Sequence, residues 1–235
     1  MRGFRWPPPP DGGPRTWGPG PGAPRTGRPA LPEPETELVA TPHGVSLERL
    51  VTGTGDPVTV FAHGLGSGIA TTRPFGSGVT GRRIFFQFRG HGRSDSPPGP
   101  WSYLDLARDL RAMADLSGAT RAFGASLGAG ALCRLLAESP ERFEKLVFFL
   151  PAVLDTPRGE VARARLTGLL DAVAALDLPT LLVWGERDLV LPAAHLAYAR
   201  TRLPNARSHL FRDTGHMPQI ERTAEVEALL RELWA

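Results

Sequence analysis

From about residue 38, hydrophobic residues follow two alternating patterns: short apolar runs and longer segments with helical spacing. The short runs are bounded by turn-type residues and predict β-strands. They cover residues 37–40, 45–51, 58–62, 83–88, 121–123, 145–150, 180–184 and 208–211. Apolar residues three or four positions apart predict helices between them, at residues 104–114, 127–138, 166–176, 192–203 and 226–233. Pro192 is expected in the first turn of its helix.

Strands that alternate with helices are typical of an α/β fold, and the first two predicted strands read as a pair around a turn. We therefore expect a mostly parallel central sheet with helices on both faces. The connection from residue 66 to 83 is short and Gly-rich, so we expect a loop there instead of a helix. A chain of 235 residues fits one such domain, which we place at residues 38–235.

Residues 1–37 differ from the rest of the chain, because 11 of them are proline and 7 are glycine. Such a segment lacks the apolar residues that a core needs, so we predict a disordered tail. A proline-motif ligand for a partner domain is the alternative interpretation, as is an over-extended start of translation.

The calculated pI of 9.7 does not indicate nucleic-acid binding, because the net charge is only +3 and no block of like charge occurs. The acidic and basic residues from Asp105 to Arg111 alternate, which predicts a solvated helix face. Cys133 is the single cysteine, so no internal disulfide can form. No apolar run is long enough for a transmembrane helix and no secretory signal is evident, so we expect a cytoplasmic protein.

The strongest chemical signal is the Gly124-Ala125-Ser126-Leu127-Gly128 segment, which joins a predicted strand to a predicted helix. A G-x-S-x-G turn in this context holds its serine in a strained conformation that exposes the hydroxyl. Glycine is needed on both sides because a side chain there would collide with the turn. The amide of Leu127, at the start of the helix, is placed to stabilise an oxyanion.

Four other clusters of polar and glycine residues follow predicted strands, after Ala62, Phe88, Trp184 and Phe211. Because function collects beyond the carboxyl ends of parallel strands, we expect these clusters to lie together. A serine nucleophile needs a base, and the base needs an orienting acid. The chain order Ser126, Asp188, His216 supplies all three. Asp155 is the alternative acid.

These motifs resemble those of the α/β-hydrolase fold family over residues 38–235. They are His-Gly-Leu-Gly from His63, Arg-Gly-His-Gly-Arg-Ser-Asp from Arg89, Gly-Ala-Ser-Leu-Gly from Gly124, Trp-Gly-Glu-Arg-Asp from Trp184 and Gly-His-Met-Pro from Gly215. The resemblance implies a nucleophile at Ser126, an acid at Asp188, a base at His216 and an oxyanion hole at the amides of Leu65 and Leu127. No set of His, Asp and Glu residues has metal-ligand spacing, so we expect no metal, and we expect no cofactor.

Most members of that family carry a cap of several helices, whereas this sequence has room only for a minimal cap insertion at about 151–179. A small apolar pocket is expected from Leu65 and Leu127 together with four further residues, namely Val153, Leu154, Val190 and Met217. His63 and His91 are expected to shape loops by hydrogen bonding. The remaining histidines, His43, His195 and His209, are expected at the surface or in turns, and Cys133 in the core.

The sequence thus predicts a serine hydrolase that cleaves a small ester or related acyl compound through an acyl-enzyme at Ser126. Thioesterase, lactonase, C–C bond hydrolase and cofactor-free haloperoxidase chemistry use the same triad and stay open. A catalytically silent binding protein of the same fold is the alternative outside enzymes. The sequence offers no preference for an oligomeric state, and the expected partner is a small-molecule substrate.

Overall fold

Eight β-strands form one sheet in the computed structural model, which describes residues 34–151 and 173–234. The strands are β1 Glu37–Ala40, β2 Ser46–Thr52, β3 Val58–Ala62, β4 Arg82–Phe86, β5 Arg121–Ala125, β6 Lys145–Phe149, β7 Thr180–Gly185 and β8 Arg207–Phe211. Their order across the sheet is β1-β2-β4-β3-β5-β6-β7-β8. The β1–β2 and β2–β4 pairs are antiparallel, and the other pairs are parallel. The predicted α/β fold with a mostly parallel sheet is confirmed.

Helices alternate with the strands in the described parts of the chain. They are α1 Ile69–Thr72, α2 Tyr103–Ser117, α3 Leu127–Glu138, α4 Ala194–Arg202, α5 Pro218–Glu221 and α6 Thr223–Trp234, with 3₁₀ turns at Arg73–Gly78 and Pro140–Arg142. A capping box starts α2, since the Asp105 carboxylate accepts a hydrogen bond from the Ser102 amide at 2.8 Å. Gly118 ends the same helix in the left-handed conformation, with φ 68°. None of the helices among the described residues is long and apolar enough to cross a membrane.

Aromatic side chains fill the core on one face of the sheet. The strand register sets Phe61 beside Phe85 and Phe123, so these three rings point to the same side. The Phe61 and Phe85 rings stack with centroids 4.5 Å apart. Phe75 of the 3₁₀ turn and Trp234 of α6 pack on this group, with centroids 4.4 Å from Phe123 and 6.3 Å from Phe61. This packing secures the sheet whose carboxyl edge carries the candidate site.

Two helix predictions needed correction. The connection after residue 66 is not only a loop: α1 and the 3₁₀ turn form there because Ile69 and Phe75 reach the core. The helix predicted at 192–203 begins at Ala194, so Pro192 precedes it and lies outside its first turn. The predicted tail at 1–37 falls almost wholly outside the described residues, and the cap at about 151–179 falls largely outside them. Both stay predictions, as does most of the helix at 166–176.

The prediction of a solvated face for residues 105–111 was wrong at Asp109, which is fully buried. The Arg89 side chain donates two hydrogen bonds to its carboxylate, at 2.9 and 2.7 Å, and His43 contacts it at 2.9 Å. This pairing raises the pKa of Arg89. A buried carboxylate is tolerated when such partners replace its water. Arg89 and His43 lie 20 and 66 positions from Asp109, so local charge alternation could not indicate this burial.

We expect Asp109→Ala to lower the free energy of unfolding by about 3–5 kcal/mol, because it removes both short hydrogen bonds of the buried Arg89 guanidinium and leaves only its longer contact with Asp105, at 3.5 Å. Asp115→Ala on the same helix is the matched control. Asp115 also pairs with an arginine, Arg142, at 2.8 Å, but its side chain is half exposed. The control should change stability by less than about 1 kcal/mol. Urea unfolding of both variants makes the comparison, and equal losses would contradict the burial argument.

Candidate active site

The carboxyl edge of the parallel strands carries the residues that the sequence selects. Leu65 follows β3, Ser126 follows β5, Asp188 follows β7, and His216 follows β8. Because β3 to β8 run parallel in the order β3-β5-β6-β7-β8, the four segments leave the sheet on the same side. The predicted convergence of these segments at one edge therefore agrees with the topology.

Ser126 occupies a strained turn between β5 and α3, with φ 48° and ψ −110°. Such a backbone conformation is costly for a residue with a side chain and is held only by its surroundings. One restraint is the Ser126 amide, which donates to the Phe149 carbonyl at 2.9 Å. The neighbouring glycines meet close backbone: a Cβ at Gly128 would lie 2.4 Å from the Ala62 carbonyl oxygen, and one at Gly124 would lie 2.8 Å from the Ala129 Cα. The steric reason predicted for glycine at these positions agrees with this geometry.

Asp188 and His216 form a hydrogen-bonded pair, with Asp188 Oδ2 2.7 Å from His216 Nδ1. The Asp188 side chain is fully buried, and its other oxygen accepts the amides of Val190 and Leu191, both at 2.8 Å. Both carboxylate oxygens therefore have partners, and Oδ2 is left to orient the imidazole. A carboxylate in this position favours the tautomer with hydrogen on Nδ1, which leaves Nε2 free to take a proton.

The Ser126 hydroxyl forms no hydrogen bond with a side chain in the part of the chain that the structure describes. Ser126 is half-buried, and catalytic hydrogen bonds are often long before substrate binds. The link from the hydroxyl to the His216 ring thus stays a prediction.

One candidate oxyanion amide, that of Leu127, directly follows Ser126, and the other belongs to Leu65 in the segment after β3. Leu127 is the first residue of α3, so its amide has no partner within the helix. Leu65 follows Gly64, and a Cβ added at Gly64 would lie 3.3 Å from the Ser126 Cβ. The amide-bearing segment 64–65 is therefore close to the serine, and its role in the oxyanion hole remains a prediction.

The sequence matches the protein-family model of the alpha/beta hydrolase fold at residues 57–169 and 156–223, which together exceed half of the chain. The chain belongs to the α/β-hydrolase fold family. Family membership supports a hydrolase as the general activity of this chain.

Similar proteins extend the comparison at low sequence identity. The dihydrolipoyllysine-residue acetyltransferase component of an acetoin-cleaving system of Cupriavidus necator is 23% identical over 80% of this chain, which spans 66% of that protein's length. A meta-cleavage product hydrolase from Pseudomonas fluorescens is similar in structure, with a TM-score of 0.70, 18% identity and coverage of 84% of this chain and 97% of its own. An esterase from Exiguobacterium antarcticum gives a TM-score of 0.71 at 16% identity, covering 84% of this chain and 99% of its own. At these identities the likeness of the structures establishes the fold alone.

His63 holds the segment that precedes Leu65 in this α/β-hydrolase. Its Nε2 accepts the Phe88 amide at 3.0 Å, so the hydrogen is on Nδ1, which donates to the Gly64 carbonyl at 2.7 Å. Burial lowers the pKa of His63 to about 3, with a further contribution from nearby His91. The loop-shaping role expected for this histidine agrees with these contacts.

The buried His63 should make the protein sensitive to mild acid. Its pKa in the folded state lies below the ordinary value of 6.5, so the unfolded chain binds the proton first as the pH falls. The stability contribution is full above pH 6.5 and is lost toward pH 3, at about 1.4 kcal/mol per pH unit. Urea unfolding between pH 7 and pH 5 should show a smaller loss for His63→Gln, whose amide oxygen can still accept the Phe88 amide. Parallel losses for the two proteins would contradict this assignment.

The structure describes only some of the predicted pocket residues. Val190 is exposed beside Asp188, and Met217 is half-buried next to His216. Val153 and Leu154 lie outside the described residues, as does the alternative acid Asp155. The pocket therefore stays a prediction. Cys133 is fully buried, and burial raises the pKa of its thiol to about 12, in agreement with the expected core position.

Two contacts of residues in or after β7 and β8 were not predicted. His195, expected at the surface or in a turn, is half-buried, with its ring centroid 6.2 Å from that of Trp184. The Glu221 carboxylate accepts the Gly215 amide, at 3.1 and 3.0 Å, and so restrains the segment that carries His216. Glu221 is the last residue of α5. Its closeness in sequence to Gly215 is the one signal that could have indicated this contact. No group of three or more metal-binding side chains is present among the residues described.

Proposed function

We propose that this α/β-hydrolase is a serine hydrolase that cleaves a small ester or related acyl compound through an acyl-enzyme at Ser126. The observation that carries the proposal is the buried Asp188 paired with His216 Nδ1 at 2.7 Å, on the sheet edge that holds Ser126 in its strained turn. A carboxylate–imidazole pair on the same edge as a presented hydroxyl fits nucleophilic acyl transfer.

In the proposed reaction, Ser126 Oγ attacks the ester carbonyl while His216 Nε2 takes the hydroxyl proton. The amides of Leu65 and Leu127 stabilise the oxyanion of the tetrahedral intermediate. His216 then gives the proton to the departing alcohol, and the acyl group remains on Ser126. A water molecule attacks this ester, with His216 as base, and releases the acid and the free serine. Asp188 stabilises the imidazolium in both steps.

A substrate panel tests the bond type. It consists of p-nitrophenyl acetate and butyrate, an acyl thioester, a lactone, a vinylogous 1,5-diketone for C–C cleavage, and acetate with peroxide and bromide for haloperoxidase activity. We expect the acetate and butyrate esters to be hydrolysed fastest. A higher kcat/KM for any other member would replace the ester assignment, and no turnover of the whole panel would favour a silent binding protein.

We place the proposed enzyme in the cytoplasm. The proposed partner is a small-molecule ester, the substrate.

A further inference from the structure

One peptide unit just before His216 is held from both sides. It joins Thr214 to Gly215, so its carbonyl belongs to Thr214 and its N–H to Gly215. The carbonyl accepts the Arg187 amide at 2.8 Å, and the N–H donates to the Glu221 carboxylate, at 3.1 and 3.0 Å. A peptide unit is planar and rigid, and in its trans form the carbonyl and the N–H point in opposite directions. Two opposed hydrogen bonds therefore fix its orientation.

The carbonyl side of this peptide unit faces the segment that carries Asp188. Arg187 directly precedes Asp188, so the hydrogen bond from its amide to Thr214 joins the acid's segment to the base's segment. Gly185, at the end of β7, lies against the same backbone. A Cβ added at Gly185 would be 2.5 Å from the Thr214 carbonyl oxygen and 2.0 Å from that of Gly215. On this side, backbone atoms alone hold the peptide unit.

The N–H side of the peptide unit depends on one side chain, that of Glu221. Glu221 ends α5, and its own amide donates to the Met217 carbonyl at 3.1 Å. The short helix thus turns the chain back, so that the carboxylate reaches Gly215, six positions earlier. Within residues 34–151 and 173–234, the Gly215 amide is the single hydrogen-bond partner of this carboxylate. Removal of the side chain would leave the peptide unit held on its carbonyl side only.

The orientation of this peptide unit determines where the imidazole lies, because Gly215 and His216 are consecutive in the chain. His216 Nδ1 is 2.7 Å from Asp188 Oδ2. Such a hydrogen bond weakens steeply once its distance and angle depart from the preferred values. A displacement of about 1 Å in a reacting group can cost about a hundredfold in rate. A small rotation before His216 is therefore enough to affect catalysis.

We propose that Glu221 is a positioning residue, which holds the His216 imidazole against Asp188 through the Thr214–Gly215 peptide unit. This inference rests on the proposed function, in which His216 is the base. Glu221 touches no reacting atom in this proposal, and its carboxylate takes no proton. It acts through the hydrogen bond that it accepts, and its negative charge is not required.

Hydrolysis of p-nitrophenyl acetate by three variants tests the inference. Glu221→Ala should lower kcat at least about tenfold and leave KM within about twofold, because the ester still binds while the base is misplaced. Glu221→Gln keeps an oxygen that can accept the Gly215 amide, so its kcat should stay within about threefold of the wild type. The matched control is Glu225→Ala, which removes an exposed carboxylate that pairs with Arg222 at 2.6 Å. The control should keep the wild-type kcat.

A second readout separates positioning from a merely structural role. A proton on His216 Nδ1 that is hydrogen-bonded to a carboxylate gives a proton NMR signal far downfield of the amides, and His216→Ala identifies this signal by its absence. We expect the signal to be lost through exchange with water in Glu221→Ala and to persist in Glu221→Gln and Glu225→Ala. Urea unfolding midpoints of the two alanine variants at Glu221 and Glu225 should agree.

Three results would overturn the inference. The first is an unchanged kcat in Glu221→Ala. The second is a Glu221→Gln variant as slow as Glu221→Ala, which would assign the effect to the charge of the carboxylate instead of its hydrogen bond. The third is a loss of kcat that a fall in the amount of folded protein accounts for, with the downfield signal of the folded fraction unchanged.

Failure of the two proposals can be told apart. If the wild type hydrolyses the ester and Glu221→Ala does so equally fast, the positioning inference is wrong and the proposed function stands. If the wild type hydrolyses no ester but the downfield signal depends on Glu221, the proposed function is wrong, and the role of Glu221 in placing the imidazole is supported.

Discussion

Ser126→Ala is expected to lower kcat for p-nitrophenyl acetate at least about 10³-fold, because no other group is proposed to hold the acyl intermediate. Alanine also keeps the Cβ that the strained turn already accommodates, at φ 48°. The loss should therefore appear in turnover and not in the free energy of unfolding, which urea titration of the same variant checks.

Ser139→Ala is the matched control for this substitution. Ser139 lies at the other end of α3, where its hydroxyl accepts a hydrogen bond from Arg111 at 3.0 Å. The control should hydrolyse the ester at nearly the wild-type rate. If Ser126→Ala keeps more than a tenth of the wild-type kcat, the nucleophile is misassigned.

Asp188→Asn is expected to reduce kcat by about 10³ to 10⁴-fold. The physical reason lies in the number of acceptors. One carboxylate oxygen receives the amides of Val190 and Leu191, and the other faces His216 Nδ1. Asparagine has a single side-chain oxygen, and we expect that oxygen to accept the hydrogen bonds of both amides. Its NH₂ group then faces Nδ1, which must become the acceptor, so the hydrogen moves to Nε2 and the base is lost.

The control for Asp188→Asn is Asp213→Asn on the segment after β8. Asp213 is exposed and pairs with Arg187, so its change should leave kcat within about twofold. An Asp188→Asn enzyme with more than a tenth of the wild-type kcat would show that another acid orients His216. Asp155→Asn would then be the variant to measure, because Asp155 is the alternative acid.

The strands could be predicted from local sequence, and so could the fact that each candidate residue follows directly after a strand or within a few residues of it. Apolar runs such as 58–62 and 180–184 are long enough to identify a buried strand, and the polar clusters follow them directly. The turn at Ser126 could be predicted for the same reason, since the glycines at 124 and 128 and the flanking strand and helix specify it together. The Asp188–His216 contact was predicted only from chain order and motif.

Contacts between distant segments were not predictable in the same way. Asp109 is buried because Arg89 and His43 reach it from other segments, and nothing near residue 109 indicates this. The short helix α1 forms because the tertiary structure buries Ile69, although its own sequence has little helical periodicity.

Covalent labelling with a fluorophosphonate tests the central claim most directly, because this probe reacts with a serine only when a base activates it. Intact mass and peptide mapping after labelling at pH 8 should show a single adduct on Ser126. His216→Ala should label at least about a hundredfold more slowly. An adduct on another serine, or equal labelling rates with and without the imidazole, would contradict a nucleophile at Ser126 that His216 activates.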